Sequence, residues 1–303
     1  MTMNTEKKQG AKPFLKWPGG KRQLLKRIAP MLPKHFTKYC EPFVGGGALL
    51  FHLLNYHKLG EVLINDTNRD LMVAYVVIQQ SVHQLINELE KLQADYIRTC
   101  GIMRDDWSDR RRYFERVRDE FNQQAAEFNY SQYNETWVTR AAQVIFLNKT
   151  CFNGLWRVRK RDGGFNTSFG DYDNPAICDS ENLLAVSDRL QGVYILCGDY
   201  QQVTEFVDSN TLVYLDPPYT PVSDTANFVG YSKDGWNDGE NARLLNWIKE
   251  LSEVRQGKLV LSSSAVDCWD SLKFNRVEVK AKRAISCKVE GRDGVKELIL
   301  SNY

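Results

Sequence analysis

The sequence predicts an α/β protein in which a sheet domain carries an inserted, mainly helical region. Three observations lead there. Short β-rich runs alternate with helical patterns at both ends of the chain. One alternation, Lys38 to Asp66, reads as a complete βαβ unit. Between about Asn68 and Lys149 the pattern turns almost wholly helical, and a turn-rich stretch, Thr150–Pro175, follows before the alternation resumes.

In chain order, "KRQLLKRIAPML" (Lys21–Leu32) reads as a helix stopped by Pro33. "KYCEPF" is a short strand entering the glycine turn Gly45-Gly46-Gly47, Ala48–Leu59 is the next helix, and Glu61–Asp66 the next strand. The middle holds "NRDLMVAYVVIQQ", then a helix for which Ser81 is a plausible N-cap, then two more helical patterns ending near Lys149. Later strands are Val193–Cys197, Thr211–Asp216 and Lys258–Ser264. The helices among them are "SENLLAVSDRL" and "NARLLNWIKELSEVR", and a hairpin-like pair, "NRVEVKAKR" and "KELILSNY", closes the chain.

The totals exclude several classes. The chain has 303 residues, a formal charge of +2, 43% hydrophobic and 26% charged residues, as an ordinary globular protein does. The longest clear apolar run, Leu71–Ile78, falls far short of the roughly 18 residues of a membrane span, and the N-terminus has no secretory h-region. Seven scattered cysteines without a CxxC pair point to free thiols in a reducing cytoplasm. Four histidines and no clustered ligand set argue against a metal site.

Two stretches carry chemistry. In "TLVYLDPPYTP", Pro217 and Pro218 end a strand at once and hold Asp216 and Tyr219 in fixed positions at its C-terminal end. Ligands bind at such ends in open α/β sheets. The Asp216 carboxylate and the Pro217 carbonyl could each accept a hydrogen bond from a nucleobase amine, favouring a pyramidal nitrogen whose lone pair faces an electrophile. Tyr219 offers a face for an unstacked base, which must leave the duplex to reach it. Upstream, "EPFVGGGALLF" lies between a strand and a helix, with Asp66 at the next strand's end able to accept from ribose hydroxyls. Leu50 is too bulky for the third small position of a dinucleotide fingerprint, so a pyrophosphate cofactor is disfavoured. Between these motifs, Lys149–Arg161 holds five cations and no acid, interleaved with Phe152, Leu155 and Trp156, the footprint of a nucleic-acid surface.

Together with "FLKWPGGK", "INDTNRDL", "FLNKTCFNGLWRV" and "FNTSFG" in this order, these motifs make the chain resemble the Dam-type DNA adenine-N6 methyltransferases over nearly its whole length. The resemblance implies a Rossmann-like, mostly parallel sheet. Residues 1–75 and 180–303 would form the methyltransferase domain and 76–179 the DNA target-recognition domain. It implies S-adenosyl-L-methionine as cofactor, double-stranded DNA as partner and GATC or a related site as target; a monomer is expected. Trp17, Lys21, Phe43, Gly45, Gly47, Asp66, Asp199, Tyr200 and Asp216 would meet the cofactor. Asp216, Pro217 and Tyr219 would hold the target adenine. Lys16 and Arg157 would meet a guanine, Phe152 and Asn153 would wedge into the duplex, and Leu155 would touch a thymine methyl. Ser168 stands where the family has a base-contacting proline, and Asp171 where it has an arginine. A cytosine-N4 or RNA amino-methyltransferase, or a non-catalytic DNA-binding module, are the rival readings.

Overall fold

The computed structural model describes residues 10–17, 19–98, 106–218, 237–264, 269–281 and 295–303. Its centre is a seven-stranded sheet, ordered β3-β2-β1-β4-β5-β7-β6. The strands are β1 (Lys38–Glu41), β2 (Glu61–Asp66), β3 (Tyr194–Cys197), β4 (Thr211–Leu215), β5 (Lys258–Ser264), β6 (Asn275–Ala281) and β7 (Val295–Ser301). The first five are parallel to one another, and β7 pairs antiparallel with both β5 and β6. The fold is thus the Rossmann-like, mostly parallel sheet that the sequence predicts.

The helices are α1 (Leu25–Ile28), α2 (Ala48–Tyr56), α3 (Arg69–Arg98), α4 (Asp106–Gln124), α5 (Thr136–Thr150), α6 (Ser180–Leu190) and α7 (Asp238–Lys249). The predicted helix over Lys21–Leu32 is really α1 flanked by two 3-10 turns, Lys21–Gln23 and Ala29–Met31. The connection from β3 to β4 is only a 3-10 turn, Tyr200–Phe206, capped by the Asp199 side chain accepting from the Gln201 N–H. β2 has the predicted bounds. Its VLIN centre is buried on both faces, as a central parallel strand must be.

The order reverses between β1 and β4, whose registers pair Lys38 with Thr211 and Cys40 with Val213. At such a switch point the connections leave in opposite directions and open a crevice beyond the strands' C-terminal ends. The glycine turn follows β1, and Asp216-Pro217 follows β4, so both chemical motifs border one crevice.

The helical insertion is not strung on a linker. α3 starts directly after β2 and runs through residue 76, where the sequence predicts a domain boundary. The predicted break at Ser81 survives as a kink, with φ −143° and ψ 41°, braced by a hydrogen bond from Tyr133 Oη. One hydrophobic core joins Tyr39 and Leu212 of the sheet to Leu85 of α3 and Phe146 of α5. Arg140 of α5, almost wholly buried, donates to Asp70 of α3 at 2.8 Å and lies against the Phe121 ring of α4. No helix among the described residues is long and apolar enough to cross a membrane.

Candidate active site and nucleic-acid interface

The glycine turn is shaped by close approach. Gly45 (φ +47°) lies so near Trp17 that a Cβ there would come within 2.8 Å of the indole Cδ1. A Cβ on Gly47 (φ +67°) would meet the Tyr75 hydroxyl at 2.6 Å. Both positions also demand a left-handed backbone, which only glycine adopts at little cost. Tyr75, buried on α3, donates its hydroxyl to the Gly45 carbonyl at 3.1 Å.

Asp66 fastens the turn from the other side. Its Oδ2 accepts from the Gly45 N–H at 3.0 Å and its Oδ1 from the Asn68 N–H at 2.9 Å. Burial raises its pKa, and those backbone donors oppose the rise. With Thr67 as a third backbone donor, the carboxylate still has acceptor capacity that a ligand hydroxyl can use. Asn65, fully buried, donates to the carbonyls of Pro42 and Gly198, both at 3.0 Å, and so ties the ends of β1, β2 and β3 together. On the β3 side the Phe43 ring lies 5.3 Å from Tyr200.

Lys21 follows the segment whose Trp17 lies against the glycine turn and reaches the other half of the crevice. Its Nζ is 2.8 Å from Asp216 Oδ1, 3.9 Å from Glu297 Oε2 of β7, and donates to the Gly19 carbonyl at 3.0 Å. The lysine is only 4% exposed, and Asp216 18%. Between Asp66 and Asp216 sits Glu41, almost wholly buried at the end of β1. Burial pushes its carboxyl up to about 8, helped by the negative charges of Asp216 and Asp66 and opposed by the hydrogen bond from Tyr39 Oη at 2.7 Å. Near neutral pH it is therefore mainly an uncharged acid.

The second cluster lies on the insertion. Cys151–Phe169 and Val158–Phe165 bridges frame an irregular antiparallel hairpin. Beside its Cys151 end Asn153 adopts φ +55°, and its N–H donates to the Tyr172 hydroxyl at 3.1 Å. Phe152 is 51% exposed, a large aromatic held in water, and its N–H donates to the carbonyl of the exposed Ser168 at 2.8 Å. Arg157 is exposed on the same hairpin. Lys16, from the N-terminal segment, presses on this end so closely that a Cβ on Gly154 would lie 2.7 Å from its own Cβ. The buried amide of Asn148 makes this possible. It accepts from the Lys16 N–H at 3.0 Å and donates to the carbonyls of Lys16 at 2.8 Å and Gly154 at 3.1 Å.

The structure thus gathers the sequence-predicted residues into two groups. Trp17, Lys21, Phe43, Gly45, Gly47, Asp66, Asp199, Tyr200, Asp216 and Pro217 border the crevice. Lys16, Phe152, Asn153, Arg157 and Ser168 share the hairpin surface. Leu155 differs: at 3% exposure its side chain is beneath that surface, packed as part of the hairpin floor. Tyr219 lies outside the described residues. Cys151 is buried too, and burial pushes its thiol up to about 12, which suits a packing residue. Asp171, at the arginine position, joins Asp173 in holding Arg110 of α4.

Comparison with known proteins decides which enzymes use this arrangement. The family model described as D12 class N6 adenine-specific DNA methyltransferase matches residues 17–285. The chain belongs to this family. It is 45% identical to the type II methyltransferase M.MjaIII of Methanocaldococcus jannaschii, over 96% of this chain and 99% of that one. It is 30% identical to the type II methyltransferase M1.LlaDCHI of Lactococcus lactis subsp. cremoris, over 100% and 99%. With a DNA adenine methylase of Haemophilus influenzae it shares 29% identity over 95% and 92%. The protein is accordingly an adenine-specific DNA methyltransferase, using a methyl donor and a DNA substrate. The rival readings as a cytosine-N4 or RNA enzyme, or as a binding module without activity, give way to this one.

Asn65, Asn148, Tyr75, Glu41 and Glu297 escaped the sequence reading. Glu41 stood inside a quoted motif, and its place on a buried strand was the available signal. The two asparagines carry no local signal, because their partners are remote in sequence.

Proposed function

We propose that the methyltransferase moves a methyl group from S-adenosyl-L-methionine to N6 of an adenine flipped out of duplex DNA, within GATC or a closely related site. The observation that carries this is the Lys21–Asp216 contact of 2.8 Å, which sets the Asp-Pro corner beside the N-terminal segment whose Trp17 lies against the glycine turn.

The crevice fits the cofactor in shape and charge. The turn at Gly45 and Gly47 leaves backbone where a side chain would intrude. Asp66, Asp216 and Glu297 outnumber Lys21, which suits a ligand bearing a sulfonium, an ammonium and one carboxylate. Asp66 would take the ribose hydroxyls, Lys21 the carboxylate, and Phe43, Asp199 and Tyr200 the adenine base, with Trp17 over the turn. When bound, S-adenosyl-L-methionine supplies an electrophilic methyl on sulfur.

The chain's own residues prepare the nucleophile. The Asp216 carboxylate and Pro217 carbonyl accept the two amino hydrogens of the extruded adenine, and Tyr219 stacks on its ring. These acceptors localise the nitrogen lone pair and turn it toward the crevice. They are fixed beforehand by the strand end and by Lys21, so little reorganisation is needed at the moment of reaction. On the DNA side, Phe152 and Asn153 fill the gap in the stack, Arg157 and Lys16 read a guanine edge, and Ser168 lies beside them. Residues 76–179 act as the recognition region on this reading, built onto the catalytic body through α3.

Incubating the protein with duplex DNA and S-adenosyl-L-methionine, then sequencing modified bases, tests this. N6-methyladenine confined to GATC or a one-base variant is expected. Methylation scattered over unrelated sites would overturn the recognition half, and no use of S-adenosyl-L-methionine the cofactor half.

A further inference from the structure

Asp199 follows β3, whose last residue, Cys197, pairs with Asp66 in the β2–β3 register. The ribose-facing acid and Asp199 therefore stand on neighbouring strand ends. What distinguishes Asp199 is how completely it is held. Arg243 of α7 grips it with two parallel bonds, Nη1 to Oδ2 and Nη2 to Oδ1, both 2.8 Å. Oδ1 also accepts from the Gln201 N–H at 2.9 Å. Nη2 donates to Gln201 Oε1 at 2.6 Å, and Nη1 lies 3.4 Å from Glu240 Oε2.

The same arginine covers Tyr200, with Cζ 4.9 Å from the ring centroid. Trp247, one helical turn further along α7, packs on Tyr200 at 4.9 Å, and Phe43 meets that ring at 5.3 Å. Arg243 and Trp247 are four residues apart, so they share one face of α7 and grip the tyrosine together. Exposed ion pairs are ordinarily worth little. This one differs because the guanidinium fork matches the carboxylate in two bonds and is itself held by Gln201.

We propose that Arg243 is a positioning residue for the cofactor's base. It locks Asp199 so that Oδ2 presents the acceptor for an exocyclic amine. The lone-pair count leads there. Each carboxylate oxygen accepts two hydrogen bonds. Oδ1 has two, from Arg243 and Gln201, whereas Oδ2 has one. The remaining acceptor position suits a 6-amino purine and repels the carbonyl of a 6-oxo purine. This rests on reading Asp199 and Tyr200 as the base site.

The test measures binding of S-adenosylhomocysteine and its 6-oxo counterpart, S-inosylhomocysteine, by titration calorimetry, with circular dichroism to verify folding. Arg243→Ala is expected to weaken the amino ligand about tenfold and the 6-oxo ligand less than twofold, on the scale of one charge-assisted hydrogen bond. In turnover, most of the change should lie in KM for the cofactor rather than kcat. Arg243→Lys, which keeps the charge but loses the fork, should stay within about threefold of the alanine variant. Equal weakening of both ligands, or full rescue by lysine, would overturn the proposal. Asp199→Ala separates the two levels. If the amino preference survives in that variant, the base site is elsewhere and the role of Arg243 falls with it. If the preference is lost in Asp199→Ala but kept in Arg243→Ala, only the role of Arg243 fails.

Discussion

The crevice at the sheet edge and the hairpin on the insertion handle charge in opposite ways. In the crevice, ionisable groups are buried and fastened: Lys21 is 4% exposed between two carboxylates, and Glu41 is buried deeply enough to hold its proton. On the hairpin surface, Lys16 and Arg157 are exposed beside the exposed Phe152. The contrast teaches a division of labour. Transfer chemistry needs dipoles fixed before the substrate arrives. Recognition of a polyanion needs cations that solvent and salt can reach.

Three measurements would break or sharpen that contrast. The largest effect is expected at the fastened pole. Asp216→Asn keeps the shape but removes the anionic acceptor, and single-turnover transfer should fall by about 10²–10³-fold. Cofactor binding, measured separately by calorimetry, should persist; transfer at the original rate would remove Asp216 from its place in the chemistry. Next comes the exposed pole. Arg157→Ala should cost about 1–3 kcal/mol of discrimination at a single base pair, seen by competing matched and singly altered duplexes. A loss spread evenly over all duplexes would make it a phosphate contact instead.

The third measurement concerns the buried proton. Burial raises Glu41 from 4.5 to about 8. Its folded form therefore binds a proton that the unfolded chain has given up, and the stability this brings is full below about 4.5. It is lost as pH rises through about 8. Glu41→Gln cannot ionise, so urea midpoints taken from pH 5.5 to 8.5 should decline less steeply than in the parent. Asp66 is raised too and contributes the same sign, so the informative quantity is the difference between the two curves. Parallel curves would mean that Glu41 stays ionised in the fold.

Much of this was legible in the sequence because it is local. β2 has its predicted bounds, the glycine turn follows β1, and two prolines end β4 beside Asp216. Periodicity and backbone restriction act over a few residues, so they print themselves on a linear string. The missing parts depend on distance. Asn148 reaches back 132 residues to Lys16, and Arg243 reaches 44 residues to Asp199. A buried asparagine spells the same as an exposed one, and an arginine on a helix face reads as solvated. Continuity at residue 76, where the sequence reading divides the chain, is hidden for a related reason. Composition changes there, but α3 continues, and the packing that welds it to α5 is tertiary.

That through-running helix bears on attempts to transplant sequence preference between relatives. Exchanging residues 76–179 as a cassette would sever α3 about two turns from its start and split the common apolar interior between parent and donor. The narrower graft is the hairpin alone, from the Cys151 bridge to its Phe169 partner, with Asn148 and Lys16 retained as its mounting. Altered readers built this way would inherit an intact catalytic body, because the new loop plugs into an amide clasp rather than replacing a girder.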